Sequence, residues 1–379
     1  MIVMRPTYLS DFDGNRRNNF TAIRILFAWA VLYGHSFAIH KIPGVSDPLN
    51  QLFQGSIWIG AVAVNGFFAI SGFLVTASFA RRGLRDYAIS RVLRIYPALI
   101  ACVVLSVFVL GPGMTSLDFK AYLFHPQTSD YLGNAMAFKP MQWFLPGVFE
   151  GHANNAVNGS LWSLTPEVRC YLILAIVGVF GVLKHKGLGS VLLLGLLVFG
   201  IFHFSDVPLF HEHPRWARPA MYFLLGVLLY LNRERVPMDH RLALLALFLA
   251  YVSFGRDWFA YIFPWSFVYL IFYCVYKTPF LGVDEKIGDL SYGTYIYAWP
   301  VQQTLTQVLG QMNPYINILL VSVITMTLAY ISWHYLEKPA LSLKRVLLRT
   351  PVLAKGVLAT PVEEKVESES STKAKSTPG

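Results

Sequence analysis

Long apolar runs, separated by short polar breaks, fill most of the chain. A hydrocarbon core is crossed by about 20 mostly apolar residues in a helix. On that measure ten runs predict spans, at 20–39, 57–80, 95–110, 160–183, 188–204, 216–231, 242–254, 258–276, 292–309 and 314–335. The pattern predicts an all-α protein, a polytopic transmembrane helical bundle. The 49-residue connection 111–159 is the only long loop. No repeat of fixed period is present. Three regions follow: a cytoplasmic segment 1–19, a transmembrane domain 20–345, and a polar tail 346–379 without aromatics that is expected to be disordered.

Composition supports the membrane reading. The chain has 379 residues, 55% hydrophobic and 14% charged, with a mean hydropathy of +0.49. That is too little charge to cover a soluble domain of this size. The first run lacks a small-residue cleavage site after it and is expected to stay as a helix. Cys102, Cys170 and Cys274 all lie in apolar runs, which argues against a disulfide framework or a zinc site.

The net charge of +10 changes the picture through its placement. Segments on the N-terminal side of the ten-span map carry twenty Lys and Arg, and those on the opposite side carry five. The asymmetry predicts both termini in the cytoplasm. The charges sit in short loops, so they are read as orientation signals and anion sites. No nucleic-acid partner is expected.

Ionisable groups inside spans are costly and face a bundle interior or a watery cavity. The first span holds Arg24 near its inner end and His35 near its outer end. Eleven residues place them about 16 Å apart on one helix face. The fourth span holds Glu167. Counted from an outer start at Ser160, it lies about 10 Å down, and His35 lies about 6 Å below its own outer end. The shared depth predicts a carboxylate beside an imidazole, which suits general-base chemistry. Arg91 and Arg94 share one face of the third span and, with Arg24, form a basic mouth suited to phosphates. Taken singly, Arg24 can snorkel to the interface, and His35 can be a satisfied interfacial histidine.

Six blocks in order then resemble one family, the acyltransferase-3 membrane proteins. They are the Arg-x10-His pair of Arg24 and His35, GFFAISGFL at 66–74, SRVLRIYP at 90–97, SLWSLTPEVRCYL at 160–172, LSYGTYIYAWP at 290–300 and YLEKPA at 335–340. The resemblance implies acyl transfer from cytoplasmic acyl-CoA, normally acetyl-CoA, to a hydroxyl of a carbohydrate or lipid-linked glycan outside the cytoplasm. It implies a multi-pass protein of the bacterial inner membrane, with no permanently bound cofactor. By matching position, His35 is the catalytic histidine, as general base or acyl carrier. Glu167 is the acidic residue of its block, and Arg24, Arg91 and Arg94 match conserved arginines, here assigned to CoA. Ala298 stands where the family commonly has a histidine.

Secondary candidates complete the reading. Ser71 and Ser163 are available oxyanion donors, although such serines also serve helix packing. Gly66 and Gly72 are expected to permit close helix contact. In the outer loop, His125, Trp143, Phe144, His152, Asn154 and Asn155 suit sugar recognition. Trp143 and Trp162, with Ser71, are the substrate-contact candidates. His203, Asp206, His211 and His213 invite a metal reading that nothing else in the sequence demands. A transporter or flippase of a lipid-linked glycan uses the same intramembrane charges. A non-catalytic scaffold would leave them unexplained.

Overall fold

The computed structural model describes residues 6–138, 141–203, 210 and 215–348. The metal candidates Asp206, His211 and His213, and nearly all of the tail, lie outside these residues. Among the described residues the fold is helical, with no strand beyond two isolated bridges, Tyr8 with Pro237 and Thr115 with Val148.

The principal helices are α1 (Phe20–Ile39), α2 (Ile59–Leu105), α3 (Leu164–Val179), α4 (Lys186–Phe202), α5 (Ala217–Leu231), α6 (His240–Ser253), α7 (Phe259–Lys277), α8 (Ser291–Leu309), α9 (Pro314–Ser332) and α10 (Lys338–Leu347). Among the described residues five stretches are long and apolar enough to cross a bilayer: Phe20–Ile39, Ile59–Met114, Gly159–Val179, Phe259–Lys277 and Pro314–Leu347. Lys186–Gly200, Ala217–Leu231 and His240–Ser253 are shorter apolar helices. The second and third predicted spans thus belong to one run, which turns at Gly83. That residue adopts φ +76° and ψ 178°, a conformation glycine tolerates because it has no Cβ.

Close packing of α2 on α5 relies on two small residues. A Cβ at Gly72 would lie 2.0 Å from the Phe223 carbonyl oxygen, and one at Gly226 would lie 2.1 Å from that of Ala69. Gly66 likewise faces the Phe27 ring on α1. Small residues at such crossings let helix backbones meet without a hydrophobic driving force between them. Helix α8 buries many polar side chains, Ser291, Thr294, Gln302, Gln303 and Thr306 among them. Gln302 donates to Ser36 Oγ at 2.8 Å and to the Leu32 carbonyl at 3.0 Å, whereas the Thr294 hydroxyl has no partner among the described residues.

The basic segments gather at one end of the bundle. Asp13 bridges Arg81 and Arg233, Asn19 bonds Thr278 and Pro279, and Lys344 meets Asp86 at 2.8 Å. At the other end His40 meets Gln311 and Thr306, and His152 meets Gln303 at 3.0 Å. The loop 111–159 is itself folded over this second end. Asn134 exchanges two hydrogen bonds with the Gln142 backbone, and the loop's own Tyr122 and Tyr131 are fully buried.

Candidate active site

Two cavities lie along α1, one at each level of the Arg24–His35 face. The inner one, about 90 Å³, is lined by Arg24, Arg91, Arg94, Ser71, Glu167 and Tyr171, among others. It has room for a handful of waters or one phosphate group. The outer one, about 510 Å³, is lined by His35, Asn65, Trp58, Trp143, Trp162 and Trp299, among others. Val64 lines both and separates them.

The predicted arginines do converge, but they are not equivalent. Arg24 and Arg94 each reach the same oxygen of Asp289 at 2.7 Å, and Arg94 also meets Glu337 at 3.4 Å. Glu337 is held in turn by Ser332 at 3.0 Å. Burial alone would raise the Asp289 carboxyl, yet Arg24, Arg94 and the Ser291 hydrogen bonds hold it down to about 2. Among the described residues Arg91 makes no ion pair with a carboxylate, although Glu167 lines the same cavity. Its guanidinium lies 5.7 Å from the Tyr171 ring centre, and its buried Nε is unsatisfied. Asp289 and Glu337 were not singled out from the sequence. The signals were there: an acidic residue two positions before the SYG block, and another inside YLEKPA.

The pairing of Glu167 with His35 is corrected. Glu167 lies in the inner cavity, where its Oε1 accepts from Ser71 at 3.2 Å and from Tyr171. His35 is 5% exposed and its Nδ1 has no hydrogen-bond partner. Its ring is held by packing, edge-on to Trp299 at 4.6 Å and tilted against Trp58 at 5.5 Å. The depth estimate failed because the fourth span does not start at the surface. Asn158 and Ser160 are wholly buried under the folded loop, and Asn158 donates to the Ile296 carbonyl on α8 at 2.8 Å. Glu167 therefore begins deeper than a count from Ser160 assumes.

The other candidates divide between the two levels. Ser71 and Ser163 belong to the inner cavity, and Ser163 meets the Tyr295 hydroxyl at 2.7 Å. Neither lines the cavity of His35. Trp143, Trp162 and Asn154 do. His125 instead caps a short helix by accepting from the Gln127 N–H. Ala298 is buried among Leu32, Ile318 and Val321. Among the described residues no group of three or more His, Cys, Asp or Glu is arranged to hold a metal ion.

Residues 17–334 match the acyltransferase domain model of the acyltransferase-3 family. The chain belongs to that family. It is 29% identical over 349 residues to an O-acetyl transferase of Shigella phage Sf6, an alignment covering 86% of this chain and 96% of the relative. It is 28% identical over 368 residues to nodulation protein 10 of Rhizobium leguminosarum bv. viciae, covering 89% and 97%. No solved structure matches the chain. As a member of the acyltransferase-3 family the protein is an acyltransferase, and its apolar helices make it a membrane protein. An acyltransferase needs a donor and an acceptor, and two cavities on one helix face suit that division.

Proposed function

We propose that this acyltransferase is an O-acetyltransferase of the bacterial inner membrane. In this reading ten spans carry it across the bilayer with both termini in the cytoplasm. It takes the acyl group from cytoplasmic acetyl-CoA, used as a substrate, and passes it to a hydroxyl of a carbohydrate or lipid-linked glycan on the far side. The observation that carries the reading is the pair of cavities meeting at Val64, arginines below and a buried imidazole above. The name of the phage relative supports acetyl as the group moved, and the gathering of basic segments at the arginine end supports the orientation.

Arg91 is the donor-phosphate contact, because among the described residues its guanidinium, unlike those of Arg24 and Arg94, is not held in an ion pair. Arg24 and Arg94 frame the same space, held in position by Asp289. The pantetheine arm runs past Val64 over the roughly 16 Å between Arg24 and His35. His35 takes the proton from the acceptor hydroxyl as its oxygen attacks the thioester carbonyl. The C–O bond forms, the C–S bond breaks, and the proton passes to the departing CoA sulfur. Trp58 and Trp299 fix the imidazole plane, a role that Glu167 does not fill. Glu167 belongs to the donor side, with Ser71 and Tyr171.

The test is a comparison of cells carrying the wild type and His35→Ala, with ester-linked acyl groups on glycans and glycolipids profiled by mass spectrometry. Loss of one acyl unit, with the variant present at normal level in the membrane, supports the reading. An unchanged profile rejects His35 as the base.

A further inference from the structure

The outer cavity does not end at His35. A second chamber of about 550 Å³ opens from it and shares Trp58, Ala61, Asn65 and Arg218 as lining residues. Its own wall is apolar, with Val62 from α2, Met221 and Leu225 from α5, and Phe263 from α7. It reaches the outside of the bundle at Tyr261 and Trp265, 43% and 42% exposed. Both belong to α7, a stretch apolar enough to face lipid.

Asn65 stands at the junction of the two chambers. It is 6% exposed and lines both chambers. A carboxamide carries two donors and an acceptor, which fit the polar group of a bound molecule at this junction. The donor reaches His35 through the narrow inner cavity. The side chamber is open toward lipid, and its walls suit a hydrocarbon chain.

We propose that the acceptor is amphipathic and enters from the bilayer. Its hydroxyl-bearing head lies between His35 and Asn65, and its hydrocarbon chain lies in the side chamber between α2, α5 and α7. This rests on the reading of the His35 cavity as the acceptor site. It adds that the acceptor is delivered on a lipid-like tail rather than as free sugar.

The experiment uses a photoreactive decyl glucoside, with a diazirine on the alkyl chain, added to the full-length protein in nanodiscs. Labelled residues are mapped by mass spectrometry, with an equally labelled phospholipid as the comparison. Labelling is expected at Val62, Met221 and Phe263. In Met221→Trp it is expected to fall at least about tenfold, since the indole displaces several methylenes of ligand. Excess unlabelled decyl glucoside should compete, and methyl glucoside should not. Labelling spread evenly over lipid-facing helices would overturn the proposal. So would equal labelling by the phospholipid, which would mean that ordinary bilayer lipid fills the chamber. The wild-type map stands even if Met221→Trp fails to fold. Labelling is read without turnover, so failure of His35 as the base would appear in the acyl profile and leave this result separate.

Discussion

The two cavities solve opposite electrostatic problems. The inner one concentrates three arginines and pairs two of them with a shared carboxylate, Asp289, leaving Arg91 outside that ion pair. The outer one holds, among the described residues, no carboxylate against its histidine; it sets indole rings beside it and carries Arg215 and Arg218 in its wall. A buried ion-pair network is fixed by its partners: removing one leaves another exposed to the full cost of desolvation. An aromatic box is fixed by shape. The inner level is therefore tied to the fold through charge, while the outer level is tied through packing and keeps its polar atoms for substrate.

Four substitutions sharpen this contrast, from the largest effect downward. His35→Ala should lower acyl transfer by at least about a hundredfold, the scale of a lost general base, with little change in the thermal unfolding of the purified protein. Asp289→Asn should act mainly on stability. It leaves Arg24 and Arg94 facing each other, and a lost partner in a buried ion pair costs about 3–5 kcal/mol, read as a lower melting temperature in nanodiscs. The Asp289 carboxyl is held below its ordinary value of 3.8, at about 2. Its contribution is thus complete above that ordinary value and is lost only as pH falls through about 2.

Arg91→Gln is the counterpart at the same level. With no ion pair to break among the described residues, it should leave the melting temperature nearly in place and raise the KM for acetyl-CoA by about ten- to a hundredfold, the worth of one charge-assisted contact. A melting loss as large as that of Asp289→Asn would mean that Arg91 is structural. The smallest effect is expected from Glu167→Gln on the pH–rate profile of transfer. A carboxylate that does not touch His35 should leave the profile where it is. A shift of about a unit would restore the pairing that the two separate cavities argue against.

The inner level was legible in the sequence because its signal is local. Arg24, Arg91 and Arg94 are charges in or beside apolar runs, and such charges must point inward. Their anchors were harder to see. Asp289 and Glu337 lie just outside the apolar runs, where an acidic residue looks like ordinary loop. The outer level was half legible. His35, Trp143 and Trp162 were found, while Trp58, Trp299 and Asn65 were not, since interfacial tryptophans and buried amides look alike along any membrane sequence. The depth match of Glu167 and His35 failed for a tertiary reason. The fourth span begins beneath a folded loop, and no count along one helix contains that loop's thickness. The hydrophobic pattern divides the run from Ile59 to Met114 into two spans around a basic segment, and the Gly83 bend inside that segment is not visible in the pattern.

The separation of donor and chemistry is tested most directly by acetyl-CoA binding, measured by calorimetry on the wild type, His35→Ala and Arg91→Gln in nanodiscs. The account predicts that His35→Ala binds as the wild type does, while Arg91→Gln binds at least about tenfold more weakly, as the loss of one charge-assisted phosphate contact requires. Equal loss in both variants would contradict it, because it would place donor phosphates and histidine in a single site.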